Sequence, residues 1–149
     1  MQREYPSRPW VGVGVVVWRD DEVLLIRRGS QPQRDQWGLP GGAQALGETL
    51  FEAAIREVQE ETGLLVTPTG VITACDGISR DETGRVCYHY TLVEVAATCD
   101  DHADPQAGDD ALDARWVHVE EVHTLIGWDE TLRVIMVSAE QRRAPGGSR

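Results

Sequence analysis

The sequence predicts an α/β domain, with helices packed on both sides of a mixed β-sheet. Three observations point there. Residues 10–18 (WVGVGVVVW) and 22–28 (EVLLIRR) are rich in β-branched and aromatic side chains and flank an Asp20-Asp21 turn, so they read as a hairpin. Residues 49–61 repeat apolar side chains at helical spacing. A longer helical pattern occupies residues 129–142. The length of 149 residues suits one domain with a sizeable core, and no internal repeat or linker divides residues 1–149.

Taken in order, residues 1–9 are polar and carry two prolines, which reads as a loose arm or an edge segment ordered by a partner subunit. In the first strand Val11, Val13, Val15 and Val17 fall on one face. Residues 29–36 form a polar loop. For the helix over 49–61, Glu48 or Thr49 serves as N-cap, Glu52 lies in the first turn, and Gly63 stands where a C-cap glycine belongs. Phe51, Ala54, Ile55, Val58 and Thr62 form its buried stripe. Residues 64–74 read as a strand interrupted by Pro68, 76–85 as a charged loop, and 86–97 as a long strand. Residues 100–110 are acidic and read as mobile; 114–119 form a short strand and 120–126 a short helix. The last helix has Leu132, Ile135, Met136 and Ala139 on its apolar side, and residues 144–149 form a frayed tail.

Fourteen Lys and Arg against 25 Asp and Glu give a net charge of -11, which disfavours nucleic acid polymers and anionic membranes. Small phosphate esters stay compatible with that charge if metal ions bring local positive charge. Cys75, Cys87 and Cys99 are an odd number with no C-x-x-C spacing, so they read as free thiols of a reducing compartment. The sequence has no signal-type segment and no apolar run long enough to span a membrane, making the cytoplasm the expected location.

Glu57, Glu60 and Glu61 form a second stripe on the helix, away from the apolar one. Like charges at these spacings weaken an isolated helix by a few tenths of a kcal/mol. A hard cation reverses that sign, because Mg2+ binds carboxylates while leaving sites for water and phosphate. Carboxylates alone fit a solvated acidic face better than a metal site. The flank Trp37-Gly38-Leu39-Pro40-Gly41-Gly42 shifts the balance: it is too glycine-rich for a helix or regular strand, and it offers permissive backbone whose carbonyls can bind metal. Arg56 is placed to pair with Glu52 one turn back, or to orient a catalytic carboxylate.

Gly42, Glu48, Arg56, Glu57, Val58, Glu60, Glu61, Gly63 and Leu64 follow the pattern G-x5-E-x7-R-E-V-x-E-E-x-G-L. Residues 42–64 thereby resemble the signature of the Nudix hydrolases at all nine positions. The resemblance implies an α/β/α sandwich whose signature is a loop–helix–loop. It also implies a metal-dependent hydrolase that cleaves the pyrophosphate linkage of a nucleoside diphosphate derivative. In that case Glu57, Glu60 and Glu61, with the Gly42 carbonyl, hold Mg2+ or Mn2+, which neutralises phosphate oxygens and activates water for in-line attack. Catalysis would rest on Arg56, Glu57, Glu60 and Glu61, with Arg56 orienting the carboxylates and Glu48 supporting the loop. One of the carboxylates, or an acid on a later loop, is the general base. For the later acid, Asp110 is favoured over its neighbour Asp109; Glu94 is another candidate, equally explained by strand alternation. Arg27 or Arg28 would meet phosphate, Tyr88 and Tyr90 (with His89 between them) could stack on a base, and Trp37 and Leu39 flank the nucleoside.

Within the family, the segments around the box lean to the ADP-ribose pyrophosphatase-like group, which converts ADP-ribose to AMP and ribose 5-phosphate. The alternatives are a nucleoside triphosphate pyrophosphatase removing oxidised nucleotides such as 8-oxo-dGTP, and a non-catalytic nucleotide-binding sensor, although sensors usually carry a degraded box. The proline that some ADP-ribose enzymes place beyond the box is replaced by Ser79-Arg80-Asp81, and the SQPWPFP tail motif is absent. The resemblance also implies a possible homodimer, with the N-terminal arm crossing between subunits.

Overall fold

The computed structural model describes residues 3–31 and 33–144. Its elements are β1 (Trp10–Arg19), β2 (Glu22–Arg28), β3 (Trp37–Gly38), β4 (Gly41–Ala43), α1 (Leu50–Thr62), β5 (Thr67–Arg80), β6 (Val86–Thr98), β7 (Ala111–His118), a 3-10 turn (Val119–Thr124) and α2 (Asp129–Arg143). The seven strands form one mixed sheet in the order β3-β2-β1-β6-β5, with β4 also on β1 and β7 also on β2. β1 and β6 run parallel, whereas the β1–β2, β1–β4, β2–β7 and β5–β6 pairs are antiparallel.

Strand alternation divides the core into two layers. Val13, Val15, Val17, Leu24, Val95 and Ala97 face α1, where Ala53, Ala54 and Val58 pack on them. Val16, Trp18, Val23, Leu25 and Ile72 face the other way, toward Val122, Val134, Ile135 and Ala139. A helix on each side of the sheet makes the sandwich that the sequence predicts. Trp18 ties α2 down by donating its indole N–H to Ser138 Oγ at 2.9 Å, which satisfies two polar groups in a dry interface.

The structure corrects several element boundaries. The glycine-rich flank is not wholly irregular: Trp37–Gly38 pairs with β2 and Gly41–Ala43 with β1. The loop expected over residues 76–85 is strand as far as Arg80, pairing Asp76 with Thr91 and Ile78 with His89. β5 is an edge strand, where charged side chains are tolerated because one side faces water. Pro68 marks a register shift within β5. Among the first residues, Tyr5 is ordered by this chain itself, with its N–H on Cys87 O and its hydroxyl on Asp81. Residues 1–2 and 145–149 lie outside the described residues. The acidic loop before β7 is tied to α1: Gln106 N–H donates to Thr62 O and Gly108 N–H to Glu61 O, satisfying carbonyls at the helix end. On α1, Phe51 is 40% exposed while Ala53 is fully buried, so the stripe is rotated from the expected one. On α2, Met136 is exposed and Val134 and Ser138 are buried.

Thr49 closes a capping box at the start of α1, accepting from Glu52 N–H while the Glu52 carboxylate accepts from Thr49 N–H. Gly63 ends the helix at φ 75, in the left-handed region that favours glycine. Thr49→Ala is expected to lower unfolding free energy by about 1 kcal/mol in urea denaturation. Unchanged stability would show that the cap does not fix α1.

Candidate active site

The position of α1 follows from its burial pattern. Ala54, Val58 and Glu61 are spaced i, i+4, i+7, so burying the two apolar side chains carries the Glu61 carboxylate inward. Glu61 is 4% exposed, which places it on the buried stripe and not away from it as the sequence suggested. Its Oε1 accepts the Gly41 N–H at 2.8 Å, joining α1 to β4. Glu57, one turn earlier, lies against Gly42: a Cβ there would stand 2.6 Å from Glu57 Oε1, so only glycine admits the carboxylate.

Arg56 binds the cluster together. Its Nε donates to Glu48 Oε2 at 2.6 Å and its Nη2 to Glu48 Oε1 at 2.9 Å. Nη1 reaches Glu57 Oε1 at 2.8 Å and Glu60 Oε1 at 2.7 Å, and Nη2 also reaches Ala43 O. Of the two roles considered for Arg56, contact with the box carboxylates is the one present; Glu52 is engaged in the capping box. Glu48 is pulled down to about 2 by the Arg56 hydrogen bonds and the Ala45 N–H. Glu57 is raised by burial, against the opposing pull of Arg56. Glu61 is pushed up to about 8, chiefly by burial, with the Gly41 N–H opposing and the Glu57 charge adding to the rise.

These residues form one wall of a cleft of about 1050 Å³. Arg28, Trp37, Leu39, Gly42, Tyr88, Tyr90, Asp109 and Asp110 also line it. Arg27 does not: adjacent strand residues point to opposite sides, and its guanidinium lies on Asp35 at 3.2 Å. His89 is likewise outside the lining. Asp110 is held at its carbonyl by Gly29 N–H and at its carboxylate by Ser30. Asp109, its neighbour, adds a smaller charge effect that raises Glu57 and Glu61, and both loop acids line the cleft. Asp109 has φ 51, and nothing in composition or strand alternation signals that turn. Glu94 also lines the cleft, and it is 6% exposed.

The donors suit a hard divalent cation. The described hydrogen bonds use Glu57 Oε1 and Glu61 Oε1, and the Glu57 charge that raises Glu61 is one a cation would offset. Among the described residues the carboxylates are not drawn into a closed cage of three. Glu60 also lines the cleft, with its side chain 41% exposed and held on Arg56.

In metal-free protein, the raised Glu61 value sets a pH dependence. Native Glu61 retains its proton between its ordinary 4.5 and about 8, whereas the unfolded chain has released it. The stabilisation is full below that window and is lost as pH rises through it. With chelator present, the melting temperature is expected to fall from pH 5 to pH 9, and Glu61→Gln should flatten the slope. An identical slope in the variant would contradict the assignment.

The NUDIX domain model matches residues 8–136. The chain is 32% identical over 117 residues to the ADP-ribose pyrophosphatase of Methanocaldococcus jannaschii, covering 78% of this chain and 66% of that one. It is 27% identical over 134 residues to the human 8-oxo-dGDP phosphatase NUDT18, covering 90% of this chain and 40% of that one. Among solved structures, it superposes on the NUDIX domain of Shewanella oneidensis NrtR complexed with ADP ribose with a TM-score of 0.71, at 23% identity, covering 93% of this chain and 91% of that one. Nudix hydrolases generally use divalent metals and act on small nucleotide substrates. No helix among the described residues is long and apolar enough to cross a membrane. With a domain match across most of its length and the signature's Gly42, Arg56, Glu57, Glu60 and Glu61 along one cleft, this chain belongs to the Nudix hydrolase family.

Proposed function

We propose that this protein hydrolyses the pyrophosphate linkage of ADP-ribose to AMP and ribose 5-phosphate. The observation that carries the reading is the pair Glu57 and Glu61, withdrawn from water one helical turn apart and facing a cleft large enough for a nucleotide. The ADP-ribose pyrophosphatase relative supports the substrate, as does the ADP ribose held by the NrtR domain. The likeness to an 8-oxo-dGDP phosphatase supports a second reading, removal of oxidised nucleotides.

In this reading Glu57, Glu60, Glu61 and the Gly42 carbonyl hold Mg2+ or Mn2+, with Asp109 or Asp110 completing the set. The cation would screen the phosphate oxygens and acidify the attacking water. Arg56 keeps Glu57 and Glu60 in place and offsets their mutual repulsion. Arg28 faces the phosphates from β2, while Trp37, Leu39, Tyr88 and Tyr90 enclose the nucleoside. A carboxylate from α1 or the 109–110 loop takes the proton of water. The water oxygen bonds to one phosphorus, the bridging P–O bond breaks, and its electron pair leaves on the other phosphate. We also assign the protein to a reducing cytoplasm, in keeping with its free Cys75, Cys87 and Cys99.

Glu57→Gln and Glu61→Gln are each expected to cut turnover by more than about a hundredfold, because charge stabilisation at the reacting phosphate is lost. Both variants should still fold, since glutamine fills the same volume. Near-normal rates would contradict the assignment. A panel of ADP-ribose, sugar nucleotides, dGTP and 8-oxo-dGTP with Mg2+ or Mn2+ tests the substrate. AMP and ribose 5-phosphate released at the highest kcat/KM supports the first reading, and pyrophosphate released from a triphosphate supports the second.

A further inference from the structure

Glu94 is a buried acid that the hydrolytic mechanism does not use. It is 6% exposed, and its Oε2 is fully buried with no hydrogen-bond partner. Its charged neighbour on α2, Glu130, is engaged by Arg133 and by the Cys75 thiol. Burial and the Glu130 charge together push the Glu94 carboxyl up to about 7. An acid so placed costs stability unless something outside the folded chain satisfies it.

Its surroundings describe that partner. Tyr90, Leu92 and Glu94 alternate along β6 and share one face, which lines the cleft. Gly12 and Gly14 on β1 pair beside Leu92 and Glu94, whose side chains lie over the glycines in the space a Cβ would take. A Cβ at Gly12 would stand 2.9 Å from Leu92, and one at Gly14 only 2.4 Å from Glu94 Oε2. Tyr90 and Leu92, ending in one buried acid, suit an aromatic heterocycle with a hydrogen-bonding edge.

Its distance from the acidic helix is also appropriate. Glu94 pairs with Gly14, Gly14 pairs with Gly41, and the Gly41 N–H reaches Glu61. Glu94 therefore stands two strand spacings from Gly41, on the order of 10 Å. One ribose separates a nucleobase from its phosphates on a comparable scale.

We propose that Glu94 sets the base specificity of this cleft by hydrogen-bonding the 6-amino group of adenine. This deepens the ADP-ribose reading and rests on it. With Oε2 packed over Gly14, the amine would meet Oε1, and a glutamine side chain offers an oxygen acceptor in the same place.

The test is calorimetric titration of AMP and of purine riboside 5′-monophosphate, which lacks only the amine. The proteins are wild type, Glu94→Gln, Glu94→Met and Gly14→Ala, with ADP-ribose turnover measured alongside. Wild type and Glu94→Gln are expected to favour AMP by about tenfold or more. Glu94→Met should bring the ratio near one, and Gly14→Ala should lower it by displacing the carboxyl without altering Glu94 itself. The Met variant should melt at or above the wild-type temperature, because an unpaired buried acid has been removed. An unchanged ratio in Glu94→Met, no preference in wild type, or no binding of either nucleotide overturns the proposal. If wild type discriminates through Glu94 yet fails to turn over ADP-ribose, the substrate reading fails and the assignment of Glu94 stands.

Discussion

Glu57 and Glu61 stand one helical turn apart on α1, and both are withdrawn from water in a chain already carrying a net charge of -11. Carboxylates in that position repel each other and lose hydration, so the local structure has to compensate at each one. Arg56 does so for Glu57, while also holding Glu48 and Glu60, which uses the planar fork of donors that lysine lacks. Gly41 does so for Glu61 through its backbone N–H. Burial still raises both acids, a shift that a bound cation would oppose.

The sheet brings those compensating groups together. β1 pairs with β2, β4 and β6, so a single strand connects the glycine-rich turn beneath α1 to the floor of the cleft. Its Val13, Val15 and Val17 bury against α1, and its even-numbered positions run from Trp10 through Gly12 and Gly14 before Val16 and Trp18 enter the opposite core. The cleft opens where large side chains give way to glycine. The same alternation that builds two cores also sets the position of the site.

Much of this was legible in the sequence because the relevant spacing is local. The helix, its capping residues, its carboxylates and the glycine turn fall within a short stretch whose periodicity reports the fold directly. What was misread depends on tertiary context. Strand pairing at an edge turned the charged residues 76–80 into β5, and pairing with β1 and β2 made short strands of glycine-rich backbone. Helix phase was off by enough to exchange Phe51 for Ala53 and to set Glu61 on the wrong face. Alternation excluded Arg27 from the cleft, where its guanidinium lies on Asp35 instead. Glu94 looked like an ordinary half-exposed strand residue because its burial depends on Gly14, eighty positions away.

The central claim is that the acidic helix holds a divalent cation through Glu57 and Glu61. It is tested most directly by titrating Mn2+ into wild type and into a protein carrying both Glu57→Gln and Glu61→Gln, with free Mn2+ followed by electron paramagnetic resonance. Saturable binding by wild type and its loss in a folded double variant is the predicted result. Equal binding by the two proteins would place the cation elsewhere and contradict the account.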